Sequence, residues 1–249
     1  MTHTAILMNT ALILAGGVGK RLGKDIPKQF LKVNGKPILA YTAQVFQNHD
    51  EIDRIVVVCV SGWGDEVENI KTTYGLDKII RIIPGGDNSM QSISNGIFGI
   101  EDITSPGDIV IIHDSVRPLI CKEIISDCIA VCKKHGNGCA SIPVQETIVR
   151  TDDRISGNTH IDRSNVMRVQ TPQAYQYGKA LWAHKEALNR GITNAVYTNT
   201  LMLELGAELH FSLGSNKNIK ITTLEDIDIF KALYSTKRDA WLRSKKETK

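Results

Sequence analysis

The chain has few cysteines, and they form neither a metal-binding nor a redox motif. Five cysteines occur in 249 residues, with no Cys-x-x-Cys pair among them. Cys128 and Cys132 lie four residues apart on a predicted helix, a spacing more typical of core packing than of a metal site. An odd, unpatterned set of cysteines is typical of a reduced protein, so we expect a cytoplasmic location.

Long hydrophobic runs and a strong net charge are also missing. No apolar run reaches the length of about eighteen residues that a membrane-spanning helix needs, so no membrane association is expected. The amino-terminal residues lack the charged segment of a signal peptide. The net charge of +3 is too small to indicate a nucleic-acid partner. The remaining composition is that of an ordinary globular domain.

The common phosphate-binding and nucleophile motifs are absent. A Walker loop requires Gly five residues before a Gly-Lys pair, but those positions hold Leu14 and Val18. The dinucleotide fingerprint fails because Leu22 stands where its last glycine is required. No His-Glu-x-x-His motif, nucleophile elbow or Ser/His/Asp order is present. Covalent catalysis is therefore not expected, whereas phosphoryl or nucleotidyl transfer by positioning and charge stabilisation fits the residues present.

What the chain does have is a glycine loop followed by cations. The apolar run Ala11–Ala15 predicts a buried strand, which leads into Gly16-Gly17-Val18-Gly19. Four cations follow, at Lys20, Arg21, Lys24 and Lys28. Glycines let backbone N–H groups approach an anion closely, and the cations supply charge for a polyphosphate. The segment predicts a nucleoside triphosphate site; the alternative is a plain strand-to-helix turn with a solvated basic face.

Apolar runs alternate with helical patterns along the whole chain. Predicted strands are Ala11–Ala15, Ile55–Val60, Ile79–Ile83, Ile109–His113, Gly138–Pro143, Val166–Gln170 and Leu209–Ser212. Predicted helices are Pro37–Gln47, Gly64–Tyr74, Ser89–Gly99, Lys122–His135, Tyr177–Arg190, Thr200–Leu205 and Thr223–Leu242. The pattern predicts a single α/β domain over residues 1–249, with a doubly wound, mostly parallel, Rossmann-like sheet.

A polar segment interrupts this alternation. Residues 144–165 carry turn signals at Asp152-Asp153 and Ser156-Gly157. We expect this segment to form a hairpin that projects from the sheet as an arm.

Polar clusters follow several of the predicted strands. They are Gly85–Ser89, His113–Pro118 and Thr171–Gln173, in addition to the glycine loop. Ligands of open α/β sheets bind at the carboxyl ends of the strands, so the clusters are expected to meet there.

Each cluster also has a structural interpretation. Asp114 can hold a divalent cation or orient a hydroxyl and Arg117 can grip a phosphate, or the two can simply close a turn as an ion pair. His113 is expected to be a packed residue rather than a base. The 85–89 segment can cap the next helix through Asp87 or Ser89. Lys220 faces away from its apolar neighbours, and such a lysine is usually solvated; it is a candidate because the triphosphate needs another cation.

Seven segments, taken in order, resemble the cytidylyltransferases that activate polyol phosphates. They are LAGGVGKRLGKDIPKQFL, GGDNS, HDSVRP, PVQETI, DR, QTPQ and NIKITTLEDI. The resemblance spans residues 9 to 232 and includes two branches, which make CDP-methylerythritol and CDP-ribitol. HDSVRP and the stretch from Val60 to Trp63 resemble the ribitol branch, which we therefore favour.

The resemblance implies roles for individual residues. The CTP triphosphate would contact Ala15, Gly16, Gly17, Gly19, Arg21 and Lys28. Cytosine and ribose would lie along Gly86, Asp87 and Ser92. Asp114 would lie near Mg²⁺ and the polyol hydroxyls, and the polyol phosphate would contact Arg117, Thr147, Arg163 and Thr171. Lys220 would contact phosphates in the transition state. The arm at 144–165 would clasp a second subunit in a homodimer, and Arg163 would then serve the neighbouring site.

Two positions depart from the family pattern. Ser89 stands where the family usually has Arg, and Asn199 stands where it tends to have Asp. Because of these departures, a nucleotide-binding protein without catalysis is an alternative interpretation. A transferase that uses another nucleotide is a further alternative.

Overall fold

A seven-stranded sheet forms the centre of the chain, which the computed structural model describes over residues 7–17, 26–193 and 195–236. The strands are β1 (Asn9–Ala15), β2 (Lys32–Val33), β3 (Lys36–Pro37), β4 (Arg54–Cys59), β5 (Ile79–Pro84), β6 (Ile109–Asp114), β7 (Asn137–Pro143), β8 (Ile148–Arg150), β9 (Thr159–Ile161), β10 (Met167–Gln176) and β11 (Phe211–Leu213). The helices are α1 (Ile38–Gln47), α2 (Gly64–Tyr74), α3 (Ser89–Phe98), α4 (Lys122–His135), α5 (Tyr177–Arg190), α6 (Thr198–Glu204) and α7 (Leu224–Ser235). Each predicted strand and helix overlaps an observed one. The last helix ends at Ser235, because Thr236 is extended, and residues 237–242 of the predicted helix lie outside the described residues.

The strand order is β11-β7-β10-β6-β1-β4-β5. β1 pairs in parallel with both β4 and β6, β4 pairs in parallel with β5, and β11 with β7. Only β10 runs antiparallel to its neighbours among the described strands of this sheet. The predicted α/β class and mostly parallel sheet are therefore confirmed.

The strand after the arm is longer than predicted. The sequence predicts an end at Gln170, but β10 continues to Gln176 and Thr171 lies inside it. The pairing with β7 shifts register between Val169 and Gln173. Pro172 lies within that shift, and since proline has no N–H to donate, a local irregularity lets the strand continue past it. Thr171 is therefore a strand residue, not part of a loop.

Helices cover both faces of the sheet. On β1, Ile13 packs in one buried cluster with side chains of α1, α2 and α4. Its neighbour Leu12 packs in a second cluster with side chains of α3, α5 and α6. Successive residues of a strand point to opposite faces, so a strand covered on both sides must be apolar throughout. This explains the continuous apolar runs of the central strands and confirms the doubly wound arrangement.

A smaller cluster fixes the segment that precedes α7. Ile221 and Phe230 are fully buried together with Tyr41 of α1. The rings of Tyr41 and Phe230 meet edge to face with centroids 5.2 Å apart. Asp226 accepts hydrogen bonds from the backbone N–H groups of Thr222 and Thr223 at 2.7 and 2.8 Å, which caps the start of the helix. The chain is thereby held in place immediately after Lys220.

The segment at 144–165 is a separate hairpin. β8 and β9 pair antiparallel, with Ile148 opposite Ile161, in a two-stranded sheet outside the central one. Ile155 at its tip is 92% exposed, and Val149 is also exposed. The predicted hairpin is confirmed, while its role in dimerisation remains a prediction. No helix in the described part of the chain is long and apolar enough to cross a membrane.

Candidate active site

A cavity of about 680 Å³ opens at the edge of the sheet where β1, β5 and β6 end. Its lining includes the glycine loop, residues 85–89 and residues 114–116, with Lys28, Tyr197 and Lys220 from other parts of the chain. This volume is within the range of small-molecule sites. Three of the predicted polar clusters therefore contribute to one cavity.

The glycine loop approaches the neighbouring loop too closely for side chains. A Cβ on Gly16 would lie 2.9 Å from the Ser92 hydroxyl, and a Cβ on Gly85 would lie 3.2 Å from the Gly16 Cα. Glycine at these positions lets the backbone line the cavity directly. Ala15 is buried behind it, while Gly19 and Arg21 lie outside the described residues.

Gln29 ties the glycine loop to the segment that carries Lys28. The Gln29 side chain is 1% exposed, and its Nε2 donates to the carbonyl oxygens of Ala15 at 2.6 Å and of Gly17 at 3.0 Å. With both carbonyls engaged from behind, the loop has a defined orientation. Lys28 Nζ donates to the carbonyl oxygen of Ile221 at 3.2 Å. Lys28 thus lies on the cavity wall next to the segment that carries Lys220.

The loop after β5 is organised by the first turn of α3. The Gly86 N–H donates to the Ser92 hydroxyl at 3.0 Å, and the Asp87 N–H donates to Gln91 Oε1 at 2.9 Å. Asn88 caps the helix, because its side chain accepts from the Gln91 N–H at 2.9 Å. The prediction of Asp87 or Ser89 as the cap is therefore wrong. Asp87 and Ser89 are instead exposed on the cavity wall.

Asp114 is the most strongly tied side chain of the site. Its Oδ2 accepts from Arg117 Nε at 3.0 Å, and its Oδ1 accepts from Lys220 Nζ at 3.2 Å and from the Tyr197 hydroxyl at 2.9 Å. Burial acts to raise the pKa of this carboxyl, but the ammonium of Lys220 and the guanidinium of Arg117 outweigh it and lower the pKa to about 2. Asp114 is therefore ionised at neutral pH.

The charges around Asp114 do not cancel. One carboxylate lies between two cations, so this cluster keeps an excess positive charge. Lys28 lies on the same cavity wall. Such an arrangement attracts a phosphate. The Lys220 side chain is 32% exposed, so it is accessible from the cavity.

Arg117 and Thr171 support the site from behind. Thr171 is 2% exposed and accepts from the Asp114 N–H at 3.1 Å. Arg117 also donates from Nη1 to the carbonyl oxygen of Asn218 at 2.7 Å. The Thr171 contact orients Asp114, and the Arg117 contact orients the chain that leads to Lys220. Neither Arg117 nor Thr171 lines the cavity.

The two predicted residues of the arm are not brought to this cavity. Thr147 and Arg163 are exposed and do not belong to its lining. Arg163 donates to the carbonyl oxygen of Gln145 within the arm. Any contact of these residues with substrate must therefore involve either a movement of the arm or a second subunit.

His113 is a packed residue, as predicted. Its side chain is fully buried, and the ring lies 5.1 Å from the ring of Phe46. Burial lowers the pKa of the His113 imidazole to about 3, so it is neutral at physiological pH and well suited to the core.

Tyr197 and Gln29 are site residues that sequence analysis missed. The Tyr197 hydroxyl contacts both Asp114 and Lys220, and Lys220 Nζ lies 5.1 Å from the centre of its ring. Tyr197 precedes the short helix α6, which the sequence predicts to begin only at Thr200. A signal for Gln29 did exist, since it adjoins Lys28 in the sequence Pro27-Lys28-Gln29-Phe30.

The carboxylates of the cavity are few. Within the described residues, no group of three or more His, Cys, Asp and Glu side chains could hold a metal ion by itself. The cavity lining includes Asp114 and Asp87. One or two carboxylates are sufficient for Mg²⁺ when substrate phosphates and water supply its other ligands.

A mostly parallel sheet with a glycine loop, two lysines and a buried carboxylate at its strand ends defines a nucleotide-binding α/β transferase. The chain matches over residues 9–235 the family described as IspD: 2-C-methyl-D-erythritol 4-phosphate cytidylyltransferase. The chain therefore belongs to this family of polyol-phosphate cytidylyltransferases. The predicted family and enzyme class are confirmed.

Relatives from both branches of the family are similar along nearly the whole chain. Identity is 44% over 227 residues with the ribitol-5-phosphate cytidylyltransferase of Lacticaseibacillus paracasei, covering 90% of this chain and 97% of that protein. Identity is 36% over 239 residues with the 2-C-methyl-D-erythritol 4-phosphate cytidylyltransferase of Alkaliphilus oremlandii, covering 94% and 98%. The crystal structure of the Francisella tularensis 2-C-methyl-D-erythritol 4-phosphate cytidylyltransferase superposes with a TM-score of 0.75 at 27% identity, covering 90% and 99%.

Proposed function

We propose that this enzyme transfers CMP from CTP to D-ribitol 5-phosphate, giving CDP-ribitol and pyrophosphate. The observation that carries the proposal is the cavity in which Lys28, Lys220 and the Asp114–Arg117 pair lie beside a glycine loop. The choice of ribitol phosphate is supported by the HDSVRP segment and by the higher identity with the ribitol enzyme, 44% against 36%.

The proposed reaction requires no protein base. A phosphate oxygen of the polyol phosphate attacks the α-phosphorus of CTP in line, and the bond from that phosphorus to the oxygen of the leaving pyrophosphate breaks. The nucleophile is already an anion, so catalysis consists of positioning and charge stabilisation. Lys28 is assigned to the α-phosphorus, together with Arg21, which lies outside the described residues. Lys220 is assigned to the phosphates of the transition state from the side of the acceptor phosphate.

We assign Mg²⁺ to the triphosphate, with Asp114 as the protein group nearest to it. This fits the cavity, because a single buried carboxylate suits an ion that takes most of its ligands from phosphate and water. When bound, the ion would neutralise charge on the phosphates.

We further propose a cytoplasmic homodimer joined through the arm. The hairpin presents Val149, Ile155 and Ile161 as exposed apolar side chains, which suits a protein interface. Four cysteines, Cys59, Cys128, Cys132 and Cys139, are buried thiols, which suits a reducing compartment.

Pyrophosphate release with CTP and Mg²⁺ tests the substrate, comparing D-ribitol 5-phosphate with 2-C-methyl-D-erythritol 4-phosphate. Release with ribitol phosphate alone is the expected result. Release with methylerythritol phosphate alone would move the enzyme to the isoprenoid branch, which is the alternative favoured by the family description.

A protein that binds the nucleotide without catalysis is a second candidate, motivated by Ser89 and Asn199. CTP binding measured by calorimetry, without pyrophosphate release from either polyol phosphate, would favour it. Repeating the assay with ATP, GTP and UTP separates a cytidylyltransferase from a transferase of another nucleotide.

A further inference from the structure

We propose that Tyr197 is a positioning residue on the polyol-phosphate side of the site, holding Asp114 in place when Lys220 turns toward the substrate phosphate. The proposal rests on the proposed function, since it assigns the acceptor phosphate to this side. Its basis is a three-way contact in which the Tyr197 hydroxyl donates to Asp114 Oδ1 at 2.9 Å and accepts from Lys220 Nζ.

Tyr197 is anchored through its own backbone and its neighbour in the chain. The Thr200 hydroxyl accepts from the Tyr197 N–H at 3.1 Å and donates to the Tyr197 carbonyl oxygen at 2.8 Å. The next residue, Thr198, is fully buried, and its hydroxyl lies 3.0 Å from His184 Nε2. The other ring nitrogen of His184 lies 2.8 Å from the hydroxyl of Ser94 on α3. The backbone that carries the phenol therefore has a defined position.

The hydrogen bonds of Asp114 explain why a phenol is needed there. The Asp114 side chain is 8% exposed, so water cannot readily replace a lost donor. Oδ1 accepts from both Tyr197 and Lys220, while Arg117 engages Oδ2. Lys220 Nζ also lies 3.2 Å from Oδ2, so Tyr197 is the one donor of the three that engages Oδ1 alone. If Lys220 Nζ moves to a substrate phosphate, the Tyr197 hydroxyl still satisfies Oδ1.

Removing the Tyr197 hydroxyl would change which donors engage Asp114. Asp114 Oδ1 would depend on Lys220 alone, and departure of Lys220 would leave this buried oxygen without a donor, at a desolvation cost, even though Arg117 still engages Oδ2. Lys220 would then be retained on Asp114 and would be less available to the substrate. The effect falls on the acceptor phosphate, because Tyr197 contacts none of the loop residues 16–17 or 85–89 through a hydrogen bond described in this structure.

The test is Tyr197→Phe, which keeps the ring and removes only the hydroxyl. We expect kcat/KM for the polyol phosphate to fall by about ten- to one-hundredfold, the range for a hydrogen bond to a charged group. KM for CTP should change less, although Asp114 is also the group assigned to the ion on the triphosphate. Tyr177→Phe is the matched control, because the buried Tyr177 hydroxyl donates to the Ile97 carbonyl oxygen at 2.8 Å outside the cavity. The control should lose thermal stability without losing kcat/KM.

A double-mutant cycle separates positioning from a general loss of structure. In a Lys220→Ala background, the loss of kcat/KM caused by Tyr197→Phe should be much smaller than in the wild type, because the proposed loss comes from retention of the Lys220 ammonium on Asp114. Full additivity, a normal kcat/KM for Tyr197→Phe, or an equal rise of KM for CTP would overturn the proposal.

The assay also keeps this proposal distinct from the assignment of the substrate. Both polyol phosphates are supplied to the wild type, and the Tyr197 comparison is made with whichever one reacts. Turnover of methylerythritol phosphate would overturn the ribitol assignment while leaving the role of Tyr197 open to the same measurement. No turnover of either would overturn both proposals.

Discussion

Gln29 Nε2 donates to the carbonyl oxygen of Ala15 at 2.6 Å, so the buried Gln29 side chain holds the end of β1. The same Nε2 also donates to the carbonyl oxygen of Gly17, two residues further along the glycine loop. Gln29 therefore links the orientation of the loop to the position of the neighbouring Lys28.

Replacing Gln29 should weaken CTP binding. Gln29→Glu keeps the size but places a carboxylate against two carbonyl oxygens, and we expect KM for CTP to rise by about tenfold or more from the loss of two hydrogen bonds. Lowering the pH should partly restore binding, because a protonated carboxyl can donate one of them. Gln47→Glu is the control, since Gln47 accepts from the Lys78 N–H at 2.9 Å away from the cavity. An unchanged KM for CTP in Gln29→Glu would contradict this role.

Removing the Lys28 ammonium should impair chemistry more than folding. Lys28→Ala is expected to lower kcat by about 10²–10³, the usual cost of one lost transition-state contact. Thermal unfolding should change less than activity, because the hydrogen bond from Lys28 Nζ to the Ile221 carbonyl oxygen lies at the cavity wall and outside the main core. Lys32→Ala, on the exposed face of β2, serves as a charge-matched control. A near-normal kcat for Lys28→Ala would refute its assignment to the α-phosphorus.

Subunit complementation would show whether Arg163 serves a neighbouring site. Lys28→Ala and Arg163→Ala should each be nearly inactive alone. If the arm reaches the partner's cavity, a mixed dimer has one site with both residues intact, and random mixing should restore about one quarter of wild-type activity. The subunits must be mixed under conditions that exchange them, with tagged mixed dimers isolated to verify exchange. No recovery in verified mixed dimers would mean that Arg163 does not act across the interface.

Asp114 should make stability depend on pH in the acid range. Folding lowers the pKa of the Asp114 carboxyl from 3.8 to about 2. The ionised carboxylate therefore stabilises the fold fully at pH values above 3.8, and this stabilisation is lost as the pH falls through about 2. The contribution is about 2 kcal/mol. The difference in unfolding free energy between the wild type and Asp114→Asn should shrink from pH 4 to pH 2 by roughly that amount, measured by urea denaturation. A difference that stays constant over this range would contradict the low pKa.

Local patterns in the sequence were sufficient for the main elements and for the family. Continuous β-branched runs such as 55–60 predict strands buried on both faces, and the glycine loop with its cations predicts a polyphosphate site. Both depend on neighbouring residues alone. Asp114 and Lys220 were recognisable through their motifs, although the sequence could not show their contact across 106 positions of the chain.

Other features arose only when distant segments packed together. The hydroxyl of Tyr197 meets Asp114 across 83 positions, and no local periodicity encodes such a pair. The continuation of β10 past Pro172 depends on two flanking strands that supply its hydrogen bonds. Short-range propensities and turn signals therefore defined the elements and the kinds of residue at the site. The crossover connections of the sheet, together with burial and charge compensation, defined which of those residues touch. The energies of burial and charge compensation exist only between groups that the folded chain brings together.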